Sequence, residues 1–177
     1  VSVRTSSGQS YEAEYLLSNA APAHLDRILG KKTEDSLPGS QLKINMLLKA
    51  LPRLKSGADP KKAFSGTFHI NESYTELEDA YATAKSGHIP EHVPSEMYCH
   101  TLTDPSILSD ELAHKGFHTL TLFGLHTPAE LFEKDNAEAK KVAQKRCLDA
   151  LNTYLLDPIE SVLAVNSDGS LCIEMKS

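Results

Sequence analysis

Apolar and polar positions alternate most regularly between Leu42 and Lys49, where Leu42, Ile44, Met46 and Leu48 interleave with Lys43, Asn45 and Lys49. A period of two is that of a strand with one buried face. Gly66 to Asn71 repeats the pattern, and Phe117 to Leu125 (FHTLTLFGL) is rich in β-branched and aromatic residues, which favour strands. A further strand is expected over Glu96 to Leu102, and a closing hairpin over Val162 to Val165 and Leu171 to Met175, turning at Ser167-Asp168-Gly169.

Helical periods lie between these runs. Pro22 suits a first helical position, Leu25, Ile28 and Leu29 follow at helical spacing, and Gly30 ends the segment. Leu77, Ala80, Tyr81 and Ala84 form an apolar stripe behind an expected capping box from Thr75 to Glu78, and Gly87 suits a left-handed cap. Thr127-Pro128-Ala129-Glu130 repeats the capping logic. It precedes a helix from about Asn136 to Leu155, with Val142, Ala143, Cys147, Ala150, Leu151 and Tyr154 inward and Pro158 as its stop. Asp104-Pro105 suits a short capped turn, and two polar stretches, Lys31 to Ser40 around Pro38-Gly39 and Pro52 to Lys62, read as loops. Strands and helices do not alternate steadily, and no internal repeat occurs. The expected fold is therefore α+β, a mixed, mainly antiparallel sheet with flanking helices.

The chain starts with a hairpin turning at Ser6-Ser7-Gly8-Gln9, whose second strand is expected to continue through a buried Tyr15-Leu16-Leu17 into the first helix. Such a strand needs neighbours, so the sequence reads as part of a larger protein.

At 177 residues the chain is long enough to bury a sizeable core. Its net charge of −6 argues against nucleic acid as a partner, because phosphate binding requires clustered Lys and Arg. The basic group Lys134, Lys140, Lys141, Lys145 and Arg146 is interspersed with Glu133, Asp135, Glu138 and Asp149, as on a solvated helix face. Cys99, Cys147 and Cys172 are odd in number and far apart, which suits reduced thiols and a cytoplasmic setting. No run of about 18 apolar residues is present to span a membrane.

Catalytic signatures are sparse. His88 with His92, and His114 with His118, have the i, i+4 spacing of helical metal ligands, but Pro90 and Gly116 interrupt them, so no metal site is expected. Neither G-x-S-x-G nor a glycine-rich phosphate loop occurs. Cys99 and His100 are neighbours on an expected strand and would point to opposite faces. The polar residues on otherwise apolar strands, His69, Tyr98, His100 and His126, remain as candidate ligand-binding residues.

Several segments carry a family likeness: YLLSNAAP, KINMLLKALPRL, GTFHINESYTELEDAYATAKSGHIPEHVPSEMYCHTLTDPSIL and GFHTLTLFGLHTP. Together they resemble the flavin-dependent phytoene desaturase-like oxidoreductases of the amine oxidase superfamily. The likeness is greatest to the pyridine nucleotide-disulphide oxidoreductase domain-containing protein 2-like branch, and it covers nearly the whole chain.

The resemblance implies that residues 1–22 are a hairpin and crossover from an FAD-binding domain missing here. Residues 23–160 would be the α+β substrate domain, and 161–177 a hairpin returning to a missing C-terminal part. Ser18, Asn19 and Ala20 would lie near the flavin, and the sheet from Leu42 to Leu125 would be the wall facing it. His69, Tyr98, His100 and His126 would touch an apolar or amine-type substrate that gives up hydride to FAD in the complete protein. No cofactor is expected on this chain alone, and exposed strand edges would permit a homodimer. Two alternatives stay open. One is a self-contained ligand-binding or interaction module; the other is a hydrolase with His69, His100 or His126 beside a serine or carboxylate in a cleft.

Overall fold

The computed structural model describes residues 1–32 and 39–176. Most of the expected Lys31–Ser40 loop lies outside the described residues. The chain divides into two compact units, Val1–Leu37 and Pro38–Ser177.

In the first unit β1 (Ser2–Arg4) pairs antiparallel with β2 (Ser10–Glu12) across a turn in which Gly8 takes a positive φ. The expected buried strand at Tyr15-Leu16-Leu17 does not form. These residues belong to no described strand, and Leu17 is 96 % exposed. Apolar character alone cannot make a strand where no ladder partner is available. Helix α1 (Pro22–Ile28) follows with Pro22 in its first turn, and Gly30 leaves it at φ +69°.

The second unit is built on a five-stranded sheet in the order β4-β5-β6-β3-β7: β3 is Leu42–Leu48, β4 Phe68–Ile70, β5 Ser95–Tyr98, β6 His118–Gly124 and β7 Ile173–Lys176. Every recorded strand pair is antiparallel, so the α+β architecture is the one found. Among the described residues this unit carries four α-helices: α2 (Pro60–Ala63), α3 (Tyr74–Lys85), α4 (Asp110–His114) and α5 (Asn136–Asn152). The alternation of β3 is realised in full. Leu42, Ile44, Met46 and Leu48 are buried, and they form one core with Met97, Leu120, Leu122 and the α5 residues Ala143, Cys147 and Leu151. Leu48 bridges to Leu163 and Val165 to Leu171, so the closing hairpin is present, and its second arm enters the sheet beside β3.

Side-chain chemistry overrides the expected boundaries at four places. The capping box of α3 is Ser73 with Glu76, not Thr75 with Glu78. Ser73 already meets Glu76 N–H, and a second cap two residues on would have no free donor to satisfy. Its C-terminus is a Schellman turn, with His88 N–H donating to Thr83 C=O and Gly87 N–H to Ala84 C=O.

Strand β5 stops at Tyr98 instead of running to Leu102, and His100–Leu102 is a 3₁₀ turn. Tyr98 with Thr121 is the last β5–β6 pair, and the N–H of Thr119, two residues further along β6, is taken by the Thr101 hydroxyl at 3.2 Å, which ends the ladder. Thr127 does not cap the turn Ala129–Phe132. Its hydroxyl is buried, donates to Gly124 C=O and accepts from Leu42 N–H, each at 2.9 Å.

Helix α5 ends at Asn152, where the Asn152 side chain accepts from Ile159 N–H at 2.7 Å. Beyond it, Leu155 bridges to Leu54 and is buried, whereas Tyr154 lies exposed.

Candidate functional site

One face of the five-stranded sheet closes on the core; the other is open. Cross-strand register fixes what the open face presents, because directly opposed residues share a face. One row runs His69, Glu96, Phe123, Lys43, Lys176, and the next Tyr98, Thr121, Asn45, Glu174. Thr119 and Leu47 form a third. Most of these side chains are half-buried, and Thr121 is 8 % exposed.

Aromatic rings cluster at the β5–β6 end. Tyr98 and Phe123 meet edge to face with centroids 5.8 Å apart, and His100 lies nearly parallel to Tyr98 at 6.0 Å. Lys43 Nζ sits 5.6 Å from the Phe123 centroid, within cation–π range. The Tyr98 hydroxyl donates to Glu96 at 3.0 Å. Beside this cluster a groove of about 540 Å³ crosses the sheet, with Asn45, Leu47, His100, Ile107, Thr119 and Cys172 among its walls. A shallower hollow of about 330 Å³ shares His100 and is lined also by Glu96, Tyr98 and Phe123. Such a surface suits a molecule with an apolar or aromatic body and a few hydrogen-bonding groups.

Of the four residues expected at a ligand, Tyr98 and His100 come together here. His100 arrives from the 3₁₀ turn, so the expectation that it and Cys99 share a strand is corrected. His69 stands on the same face but on edge strand β4, exposed, with Nδ1 donating to Glu72 at 2.6 Å. His126 lies off the open face. It takes φ +53° after β6, and its ring meets Tyr81 of α3 edge to face at 5.8 Å. The hydrogen bonds of Leu125 N–H to Pro94 C=O and of Thr127 N–H to Ser40 C=O hold the chain on either side of it.

Ser18, Asn19 and Ala20 belong to the first unit, outside any strand or helix. The Ser18 hydroxyl accepts from Ala20 N–H at 3.3 Å. Among the described residues, no three of His, Cys, Asp and Glu gather closely enough to hold a metal ion. Likewise no described helix is long and apolar enough to cross a membrane.

Asn45, Thr119, Thr121 and Phe123 escaped the reading from sequence. Their signal was the outward half of two alternating strands, in which hydroxyl, amide and aromatic residues stand where charged residues suit a solvated face.

The thiols differ sharply in environment. Cys147 is fully buried, which pushes its pKa up to about 12, and burial also raises Cys99. Cys172 is half-buried on the groove. A thiol reagent added to the folded chain is therefore expected to modify Cys172 alone, with all three reacting in denaturant, as mass spectrometry would count. Labelling of Cys147 under native conditions would contradict its placement.

Over 161 residues the chain is 43 % identical to uncharacterized proteins of Mycobacterium tuberculosis and Mycobacterium bovis. The match covers 90 % of this chain and 30 % of each relative, so the chain spans about 30 % of the length of the curated relatives it matches. No family model and no solved structure matches it.

Proposed function

We propose that this chain is the substrate-side portion of a flavin-dependent oxidoreductase of the phytoene desaturase-like kind, acting on an apolar or amine-type small molecule in a cytoplasmic setting. The observation that carries the proposal is the open sheet face, where Tyr98, Phe123 and His100 stand beside an amide, two hydroxyls and apolar Leu47 and Ile107. This is a broad wall in which aromatic and apolar groups stand among hydrogen-bonding and charged groups at fixed positions. It can orient a substrate and keep water from it, the protein's share of the work when a cofactor carries the chemistry.

The residues here do not fit a clasp for FAD. Ser18 closes a local turn on Ala20, Ala21 offers α1 no side-chain cap, and the sequence has no glycine-rich phosphate loop. FAD would accept hydride where it is bound in the longer protein, and the part of this chain would be the wall opposite. The hairpin supports the same reading. Among the described residues its two strands pair with each other alone, and all six of their residues are exposed. An exposed edge of that kind suits pairing with further chain or with a second copy.

Titration of the purified chain with FAD tests the division of labour. The expected result is a colourless preparation with no saturable change in flavin absorbance or fluorescence. A yellow preparation with stoichiometric flavin would overturn the assignment of cofactor binding to other parts of the protein.

A further inference from the structure

At one end of the groove two side chains and a backbone N–H converge on a single hydroxyl. Thr101 Oγ1 accepts from Thr119 N–H at 3.2 Å, lies 3.1 Å from His118 Nδ1, and lies 3.5 Å from Cys99 Sγ. Thr101 is buried, and it is the middle residue of the 3₁₀ turn His100–Leu102, so its neighbour His100 is the residue stacked on Tyr98 at the groove. A hydroxyl has one proton to give and two lone pairs to fill. Thr119 N–H takes one lone pair permanently. His118 and Cys99 divide the remaining lone pair and the proton between them.

We propose that the Thr101 hydroxyl transmits the protonation state of His118 to the turn that carries His100, so that the geometry of the groove responds to pH. The inference concerns regulation of the same open-face site and rests on that site being the functional one.

When His118 is neutral with a bare Nδ1, Thr101 donates to it and the Cys99 thiol donates to Thr101. A proton arriving from solvent on Nδ1 turns His118 into a donor. Thr101 oxygen then accepts from both Thr119 and His118, and its own proton must swing to Cys99 Sγ. Sulfur is a weak acceptor, and the buried thiol keeps its proton, so S–H must turn away as well. The change is a reversal of hydrogen-bond direction along Cys99, Thr101 and His118 with one proton gained. Its mechanical output is the turn containing His100.

The surroundings favour the neutral state. Burial and the charge of Lys61 on α2 both lower the His118 pKa, and its register partner on β3 is apolar Leu48. On α4, Lys115 is engaged by Glu111 at 2.6 Å, and His114 Nδ1 by Asp110 C=O at 2.7 Å.

Histidine ¹H–¹⁵N spectra of the chain, recorded across a pH series, test the proposal without any flavin. Neutral His118 is expected to carry its proton on Nε2, and the His100 ring and the 100–102 amides are expected to follow the His118 midpoint. In Thr101→Val His118 still titrates but has lost its bond to residue 101 in both protonation states. His100 should then cease to follow it, and Thr101→Ser should restore the coupling. A neutral Nδ1–H tautomer, a Thr101→Val variant in which His100 still follows His118, or a wild-type His100 that ignores His118 would each overturn the relay. If Thr101→Val fails to fold, the tautomer and the coupled titration of the wild-type chain decide the matter. These results are independent of FAD binding, so the relay and the oxidoreductase reading can fail separately.

Discussion

Replacing Leu122 with Ala is expected to cost about 2–5 kcal/mol of folding stability, read from denaturant unfolding, because it opens a cavity in a packed core. Leu122 has no exposed surface and lies opposite Ile44 and Met97 at the centre of the sheet. Its neighbour Thr121 points to the other face, where its hydroxyl makes one long contact, 3.5 Å, to Asn45. Thr121→Ala is accordingly expected to cost about 1 kcal/mol or less. The contrast between adjacent residues measures the two-sidedness of the sheet. Equal losses would mean that the open face is packed as tightly as the core, and no groove would remain for a ligand.

Thr127→Val is the second large effect. The substitution keeps shape and removes one buried hydroxyl, which serves Leu42 N–H at the start of β3 and Gly124 C=O at the end of β6. An orphaned buried backbone group costs about 1–3 kcal/mol, and here two are orphaned at the same end of the central strand pair. Thr127→Ser, which retains the hydroxyl, should recover most of the loss. A valine variant as stable as the native chain would show that both backbone groups find other partners. The same corner is tight in a second way. A Cβ on Gly124 would stand 2.9 Å from Leu42 Cγ and 3.0 Å from Val93 Cγ1.

Sequence pattern was informative where structure is local. The alternation located β3 and its buried face to within a residue, and helical spacing found α1, α3 and α5, overrunning the end of α5 by three residues, since each depends on residues a few positions apart. What failed depended on distant partners. Tyr15 to Leu17 look like a strand by composition and lack a ladder. The end of β5 is decided by the Thr101 hydroxyl meeting Thr119, and the end of α5 by Asn152 reaching Ile159 and Leu155 bridging to Leu54.

The site followed the same division. Tyr98 and His100 could be singled out as polar residues in apolar surroundings. The placing of Phe123, Thr121 and Asn45 beside them needs the order β5-β6-β3, in which β6 inserts between strands about 50 residues apart in sequence. His126 stands apart from the others, with a left-handed backbone and its ring against Tyr81, and a histidine in that conformation gives no sign of it in the sequence.

The flavin content of a complete mycobacterial relative tests the central claim most directly. Such a protein, 43 % identical over the matched region and more than three times as long as that match, can be purified, denatured and its released chromophore identified by chromatography and mass. One FAD per polypeptide, with none retained by the present chain alone, is the result predicted. A relative that is colourless as purified and fails to bind added FAD would contradict it, and the open face of the sheet would then have to serve a ligand of another kind.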